Sequence, residues 1–519
     1  MLARVNTPAL LETARSAIAE RLATHSEWFF TLNDEKTLAL SRSELDIAVV
    51  HGRLILTCWT EQGSRSWKIF AWETNGDNLL LHASRRMGAE RPLIGLVPRA
   101  SASAIALTVR TARQKRCDQL AQLAASIQPG LKVERSVLSR GARSGQPGRY
   151  ARVVLKQRHL RIAVTGSVAA SRPSDADAFL SAALLWFMHI SERTRAPFIQ
   201  QLWLVIESCL VKPVVERITL LRQSLRDAIL VLEDTNQLSE LRVVELPNRE
   251  DLWKRRTRRF PPVPDSASLE TTKQIVALAP DAIDVVNARH GQTLRYRGLP
   301  FARVRQLLGA ERIWFGVDGS RRRMLDEGSE SEWFSLLADL ARHRSPDESD
   351  HYHALYRNAG EAWLESLLRR DITRLDPGLI IAPLHAQFRT SRGVGGVRPI
   401  DMLALRHDGR LAVIELKITE AREHVIQGAD YWQRVEAQRR RGHISRARLF
   451  GERRIKDEPP LIYLVAPTLR VHPSFMTLAR SIAPDIEIYR FDINEDWRAG
   501  VRVMRRQRVN PGSHGSFGD

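Results

Sequence analysis

The sequence predicts a multidomain α/β protein, because the chain is long, rich in apolar residues, and mixes helical with strand-like patterns. With 519 residues it exceeds one typical domain, and we expect about two to four domains. Hydrophobic residues make up 43% of the chain, which is enough for a buried core in each domain. Apolar positions recur at helical spacing in some segments and alternate in others, as expected when sheets are flanked by helices.

Charge and hydropathy indicate the kind of partner. The chain carries 79 basic and 59 acidic residues, a formal net charge of +20, which favours polyanions as partners. The longest apolar run, Ala176 to Ile190, contains Asp177 and is shorter than the ~20 residues that span a bilayer. The first six residues lack the apolar segment of a secretory signal. We therefore expect a cytoplasmic protein that binds nucleic acid and no membrane.

Neither the cysteines nor the histidines form a zinc pattern. Cys58, Cys117 and Cys209 are too widely spaced for a disulfide framework, and we expect all three to be buried thiols. His351 and His353 are neighbours without further ligands at metal spacing, so we expect surface histidines.

Composition and pattern divide the chain into regions of different character. The run Lys254 to Pro264 combines basic residues with prolines and predicts an extended linker. Beyond it lie helical patterns, such as Phe334 to Arg342, and one strand-like run, Ile313 to Val317. We expect a small α+β domain without activity in residues 1–98, an α/β domain in 99–250, a linker and helical connecting region in 251–349, an α/β domain with the motifs described next in 350–500, and a basic, flexible tail in 501–519.

Three charged residues lie within a predicted β-hairpin of residues 350–500. The apolar runs 400–405 and 411–416 are joined by an Asp-Gly turn, the pattern of two antiparallel strands. Asp401 lies on the first strand, and Glu415 and Lys417 share one face of the second. An edge hairpin with an exposed ion pair is the simpler alternative. The four apolar residues before Glu415 favour a central strand instead, where an uncompensated charge is costly.

Carboxylates and an ammonium at one end of a sheet point to hydrolytic chemistry. Carboxylate oxygens are ligands that Mg²⁺ prefers, and a bound cation can activate water for attack on a phosphodiester. The spacing of Asp401, Glu415 and Lys417 is therefore typical of a metal-dependent nuclease site. The basic runs 439–441, 453–454 and 502–508 flank this site in the sequence and would contact phosphates without reading bases.

With their neighbours, these residues resemble the PD-(D/E)XK nuclease superfamily, in the branch of the RecB-like nucleases and the NucS endonucleases. Glu361 to Glu365 match the E-x-x-L-E helix of that branch, and Gln427 to Tyr431 are similar to its Q-x-x-x-Y motif. The resemblance covers residues 353–495. It implies a restriction-endonuclease-like core, which is a mixed central sheet flanked by helices.

The resemblance also implies roles for single residues. Asp401, Glu415 and the main-chain carbonyl of Leu416 would bind Mg²⁺, with Mn²⁺ as a substitute. Lys417 would hold the attacking water, help to deprotonate it, and offset the charge that develops on the phosphate.

Residues on two helices would complete the implied site. Glu365 or Glu361 would add a metal ligand or a hydrogen bond to a water; both match the motif, and the length of the helix slightly favours Glu365. Gln427 would orient catalytic or DNA-contacting groups, and Tyr431 would support its helix.

Residues 99–250 repeat the order of elements found in residues 350–500. In each, a helix leads to a Pro-Gly-Leu segment and then to two strands. Arg152 stands where Asp401 would align, and Val164 lies near the position of Glu415. Our hypothesis is an internal duplication in which the first copy is degenerate and has lost its metal site. A chance likeness of two ordinary α/β units is the alternative.

The sequence thus predicts a Mg²⁺-dependent deoxyribonuclease that acts in repair or antiviral defence. One alternative is a non-catalytic nucleic-acid-binding or assembly protein with a vestigial nuclease fold. Another keeps the site but makes it active only with protein partners or in a homo-oligomer. The sequence does not distinguish DNA from RNA, single-stranded from double-stranded or branched substrates, or endonuclease from exonuclease action.

Overall fold

The computed structural model contains four β-sheets with helices packed against them. It describes residues 3–4, 8–32, 38–60, 63–75, 78–85, 90–98, 102–141, 147–158, 160–193, 198–235, 238–254, 269–288, 291–307, 309–317, 322–388 and 399–511. The α-helices of these residues are α1 Pro8–Ala23, α2 Ala102–Ser126, α3 Ala176–Arg193, α4 Ser208–Ile218, α5 Gln223–Ala228, α6 Arg249–Lys254, α7 Glu270–Leu278, α8 Glu330–His343, α9 Ala354–Arg357, α10 Gly360–Arg370, α11 His424–Arg440, α12 His443–Arg446 and α13 Phe475–Ser481. The mixed architecture confirms the prediction of a multidomain α/β protein.

The strands make up one eight-stranded, two six-stranded and one five-stranded sheet. In chain order they are β1 Ala3–Arg4, β2 Glu27–Leu32, β3 Leu38–Ser41, β4 Leu45–Val50, β5 Arg53–Thr60, β6 Gly63–Asn75, β7 Asn78–Ser84, β8 Leu93–Pro98, β9 Lys132–Arg140, β10 Pro147–Gln157, β11 Leu160–Ser167, β12 Ile199–Glu207, β13 Ile229–Asp234, β14 Leu241–Val244, β15 Ile283–Ala288, β16 Gly291–Tyr296, β17 Leu299–Leu307, β18 Ala310–Phe315, β19 Arg323–Met324, β20 His385–Phe388, β21 Ile400–Leu405, β22 Leu411–Leu416, β23 Leu461–Pro467, β24 Ile488–Ile493 and β25 Val503–Arg508.

The first sheet is antiparallel and is covered by α1. Its order is β3-β2-β8-β7-β6-β5-β4, with β1 paired to β6. The hairpin of β4 and β5 turns at His51 and Gly52, which both have positive φ, as is typical of a two-residue hairpin turn. The hydrophobic core between α1 and this sheet consists of residues between 11 and 96, including Ile18 and Leu22 of α1.

The two six-stranded sheets share one topology. Their orders are β14-β13-β12-β11-β10-β9 and β20-β21-β22-β23-β24-β25. Counted in chain order, the first three strands of each sheet pair in antiparallel fashion, and the third, fourth and fifth pair in parallel. The sixth strand pairs antiparallel with the fifth. A long helix, α3 or α11, joins the third strand to the fourth. We call residues 102–244 the first unit and residues 354–510 the second unit.

The strand registers align the two units residue by residue. Thr165 of β11 pairs with Leu204 of β12, and Glu415 of β22 pairs with Leu464 of β23. Each leucine lies two residues past the first residue of its strand that pairs with the following strand, β13 or β24. Thr165 therefore takes the position of Glu415, and the prediction of Val164 was wrong by one residue. Arg152 pairs with Thr165, so it takes the position of Asp401, as predicted.

The two units are joined by a common hydrophobic core. Helices α3 and α4 of the first unit pack against α11 and α13 of the second, with Phe179, Leu184, Trp432 and Leu478 among the buried side chains. Hydrogen bonds between main-chain groups of residues 220–222 and 481–483 also cross this boundary. Each sheet therefore has one face toward the other unit.

Residues 283–324 contain a sheet, so the prediction of a helical connecting region was wrong there. Strands β15 to β19 form an antiparallel sheet that packs against α7 and α8. Burial alternates along β16, where Gln292, Leu294 and Tyr296 point inward. Of the predicted linker Lys254–Pro264, only Lys254, the last residue of α6, lies within the described residues.

The chain from 501 to 511 is ordered against the second unit, so the prediction of a flexible tail was wrong for these residues. Strand β25 pairs with β24, and the buried Asn510 side chain accepts a hydrogen bond from the Ile488 N–H at 3.0 Å. Pairing with β24 explains why a run of arginines is extended, since charged residues are typical of edge strands. Residues 512–519 lie outside the described part of the chain.

Two of the three cysteines are buried as predicted. Cys58 and Cys117 lie in cores, whereas Cys209 is exposed in the first turn of α4. The prediction of a buried thiol was therefore wrong for Cys209, because this turn faces outward. His353 caps the N-terminus of α9 by accepting a hydrogen bond from the Leu355 N–H.

Candidate functional site

The hairpin of β21 and β22 lies inside the second sheet. Strand β22 is flanked by β21 and β23, and all six of its residues are buried. The two strands turn at Gly409, whose positive φ of 84° suits glycine. Glu415 has no exposed side-chain surface. The expectation of a central strand is confirmed, and the alternative of an edge hairpin is wrong.

The three predicted charged residues form one cluster. The Asp401 carboxylate accepts a hydrogen bond from the Leu416 N–H at 2.8 Å. The Lys417 ammonium donates to Glu415 Oε1 at 2.7 Å and to the Leu416 carbonyl at 3.2 Å. Register places Asp401 beside Glu415, since β21 and β22 pair Met402 with Ile414. Two carboxylates, one ammonium and one carbonyl therefore meet at the end of β22.

Burial and mutual repulsion shift the pKa values of these groups. Burial raises the pKa of Glu415 well above its ordinary value, and the nearby Asp401 carboxylate raises it further. Burial also raises the pKa of Asp401, against the effect of Lys417. For Lys417, burial lowers the pKa, but the carboxylates of Glu415, Glu361 and Asp401 outweigh burial and raise it. Lys417 is therefore a cation at neutral pH.

The structure distinguishes the two glutamates of α10. Glu361 Oε1 lies 3.6 Å from the Lys417 ammonium, and 43% of the Glu361 side chain is exposed. Glu365 is buried and faces the five-stranded sheet, where its carboxylate lies 3.5 Å from Arg295 Nη1. Glu361 is thus the glutamate next to the cluster, whereas Glu365, slightly preferred from the sequence, forms an ion pair with another sheet, so the geometry favours Glu361.

Helix α11 brings a third group of side chains to the site. Gln427 and Tyr431 are buried on one face, and Gln427 Nε2 donates to the Tyr431 hydroxyl at 2.8 Å. Burial and the Glu415 carboxylate raise the pKa of Tyr431, so its hydroxyl stays protonated close to the carboxylates. A side chain at Gly428 would collide with Leu464, so glycine permits the close approach of α11 to β23.

His424 also belongs to the site, although sequence reasoning did not single it out. Its Nε2–H donates to the main-chain carbonyl of Glu415 at 3.3 Å. Burial and then the Lys417 charge lower its pKa to about 3, so the imidazole is neutral. The available signal was spacing, because His424 precedes Gln427 by one turn of the helix and shares a face with it.

The donor atoms are of the kind that Mg²⁺ prefers. Asp401, Glu415 and the Leu416 carbonyl offer hard oxygen ligands, and Glu415 Oε2 is buried without a hydrogen-bond partner. Within the part of the chain that the structure describes, no three His, Cys, Asp or Glu side chains form a metal-binding group. Mg²⁺ commonly binds one or two carboxylates and completes its shell with water, so two carboxylates and one carbonyl fit this ion.

Most arginines of the predicted phosphate-binding runs form contacts inside the protein. Arg439 and Arg440 pair with Glu436, and Arg441 donates to a main-chain carbonyl. In the last run, Arg502, Arg506 and Arg508 pair with Asp496, Asp376 and Glu487, respectively. Arg453 and Arg454 are exposed. Arg505 is exposed as well, so the prediction that these runs contact phosphates rests mainly on Arg453, Arg454 and Arg505.

Comparison of the chain with protein-family models, with curated proteins and with solved structures gives no match. Among the helices of the described residues, none has both the length and the apolar character needed to cross a bilayer.

Proposed function

We propose that residues 350–500 form a restriction-endonuclease-like domain that hydrolyses phosphodiester bonds in DNA with the help of Mg²⁺. The observation that carries the proposal is the burial of Glu415 beside Asp401, with the Lys417 ammonium 2.7 Å from Glu415. Burying two neighbouring carboxylates at the end of a central strand destabilises the fold, and a purely structural role does not offset this cost. A site that binds a cation and a phosphate explains it.

The residues divide the chemical tasks among them. Asp401, Glu415 and the Leu416 carbonyl would hold the cation, which supplies Lewis-acid polarisation of the phosphodiester and lowers the pKa of water. Lys417 keeps its proton, so it offsets the negative charge that grows on the phosphate and orients the attacking water by donating a hydrogen bond. This revises its expected part in removing the proton of the water.

Glu361 is the better candidate to accept that proton. Its carboxylate lies 3.6 Å from Lys417 Nζ, and its side chain is more exposed than that of Lys417. It can therefore reach a water held by Lys417 and pass the proton to solvent. His424, Gln427 and Tyr431 act as positioning residues, because the His424 hydrogen bond holds the main chain at Glu415.

The matching topologies of the two six-stranded sheets support the hypothesis of an internal duplication. In the aligned registers, Arg152 and Thr165 replace Asp401 and Glu415, so the first unit lacks the carboxylates. We propose that the first unit is a degenerate copy and that only the second unit is catalytic.

A substrate panel tests the proposed function. Wild type, Lys417→Ala and the control Lys456→Ala are incubated with labelled single-stranded, double-stranded and branched DNA and with RNA, in Mg²⁺, Mn²⁺ or EDTA. Lys456 suits the control because it is a half-exposed lysine of the same unit, paired with Glu458 at the surface. We expect metal-dependent products from wild type and Lys456→Ala only. Equal products from all three proteins would contradict the proposal, and binding without cleavage would favour the non-catalytic alternative.

A further inference from the structure

The first unit has a cation at the position of the lost carboxylate. Arg152 is half-buried on β10, and its guanidinium lies over the ring of Trp186, 5.9 Å from the centroid. Among the residues that the structure describes, no carboxylate forms an ion pair with it. A half-buried guanidinium of this kind has been taken partly out of water without a counter-charge, so it has capacity to bind an anion.

One arginine from each unit acts on Arg152. Arg140 lies on the neighbouring strand β9, three residues past Val137, which pairs with Arg152. Burial lowers the pKa of Arg152, and the charges of Arg422 and Arg140 lower it further. Arg140 is exposed on β9, and Arg422 is exposed just before α11 of the second unit. Acidic groups in this area include Asp175, which pairs with Arg149, Glu423, whose charge acts on Tyr150, and Glu420, whose charge acts on His472 together with that of Arg422.

This arginine cluster is connected to the candidate catalytic site through the start of α11. Arg422 comes two residues before His424, whose imidazole contacts the main chain of Glu415. The same short segment therefore has one residue in the catalytic cluster and another beside Arg152. The arginine cluster and the candidate catalytic cluster therefore both lie at the start of α11.

We infer that Arg152, Arg422 and Arg140 form a phosphate-binding site for the backbone of the nucleic acid that the second unit cleaves, which rests on the proposed function. Guanidinium groups bind phosphate oxygens through paired, charge-assisted hydrogen bonds. A bound phosphate also relieves the mutual repulsion of the three cations. The degenerate copy has thus exchanged carboxylates that hold a phosphate through a metal for an arginine that binds the phosphate directly, and it serves as the substrate-binding half of the protein.

Binding in the absence of cleavage tests the inference. The affinity for a fluorescein-labelled DNA duplex is measured by anisotropy in EDTA at several salt concentrations, for wild type, Arg152→Ala, Arg422→Ala and Arg342→Ala. Arg342 is an exposed arginine of α8, outside both units, and serves as the matched control. We expect Arg152→Ala and Arg422→Ala each to weaken binding about tenfold. We also expect each to reduce the slope of log affinity against log salt by about one.

The outcomes separate this inference from the proposed function. Arg422 is exposed, so Arg422→Ala tests the cluster even if Arg152→Ala is poorly folded. If both variants bind like wild type and Arg342→Ala while wild type cleaves the duplex with Mg²⁺, the phosphate site is overturned and the nuclease stands. If wild type cleaves no substrate but the variants still lose affinity and salt slope, the phosphate site stands and the nuclease is overturned.

Discussion

Arg217 of the first unit and Asp430 of the second form a buried ion pair across their boundary, with 3.3 Å between Arg217 Nη2 and Asp430 Oδ2. The same guanidinium also binds Asp177 of α3. Asp430 lies on α11 between Gln427 and Tyr431, so the first unit holds the helix that completes the candidate site. The first unit thereby supports the geometry of the second unit.

Replacing Arg217 by methionine should destabilise the protein. The substitution keeps much of the side-chain volume but leaves Asp177 buried without its ion-pair partner, and it leaves Asp430 with Arg434 as its remaining partner. We expect the free energy of unfolding to fall by about 3–5 kcal/mol, as for other broken buried pairs. Urea denaturation of wild type, Arg217→Met and the exposed control Arg342→Met measures this loss of unfolding free energy. A loss below about 1 kcal/mol would show that the ion pair does not hold the two units together.

The two glutamates of α10 should respond differently to the same substitution. Glu361→Gln removes a partly exposed carboxylate beside Lys417, so we expect the cleavage rate to fall at least about tenfold while stability is retained. Glu365→Gln weakens a buried pair with Arg295, so we expect a loss of about 1–3 kcal/mol in the free energy of unfolding. Each variant is therefore the control for the other, in single-turnover cleavage and in urea denaturation. The reverse pattern would assign Glu365 to the site.

Asp376 should make stability depend on acid pH. Burial tends to raise its pKa, but hydrogen bonds from the Tyr463 hydroxyl and the Gly378 N–H, with the charges of Arg506 and Arg406, outweigh burial and lower it. A carboxylate whose pKa is lower in the folded state stabilises the protein above its unfolded pKa of about 3.9 and loses this contribution as pH falls through the folded value.

We therefore expect wild type to lose about 1 kcal/mol more than Asp376→Asn between pH 7 and pH 3, because the amide does not titrate. Urea midpoints at both pH values measure the difference. Asp281→Asn, at an exposed position, is the control and should behave like wild type. Equal losses for wild type and Asp376→Asn would mean that Asp376 has an ordinary pKa.

The parts of the fold that sequence could predict are those fixed by neighbours in the chain. The hairpin with Asp401 and Glu415 has a local turn and continuous apolar strands, so both its pairing and its central position were predictable. The order of elements in the two units was also predictable from the sequence, because each element has its own local pattern. The choice between Glu361 and Glu365 was not predictable, because the partner of Glu365 is Arg295, which lies 70 residues away.

The elements that sequence reasoning missed are strands rich in arginine. Strands β16 and β17 carry Arg295, Arg303 and Arg305 between their apolar residues, which dilutes the alternating pattern. Strand β25 has arginines at three of its six positions, 505, 506 and 508, so only pairing with β24 makes it a strand. Long-range pairing, absent from local patterns, decides such segments.

The single-turnover cleavage rate of a labelled DNA duplex in Mg²⁺ tests the proposed nuclease site at its buried carboxylate. It compares wild type with Glu415→Gln, which keeps the shape of the buried side chain, and with Lys456→Ala as the control. We predict that Glu415→Gln cleaves at least about a hundredfold more slowly than wild type, while Lys456→Ala keeps the wild-type rate. EDTA should abolish cleavage by wild type and by Lys456→Ala. Cleavage by Glu415→Gln at the wild-type rate would contradict the account.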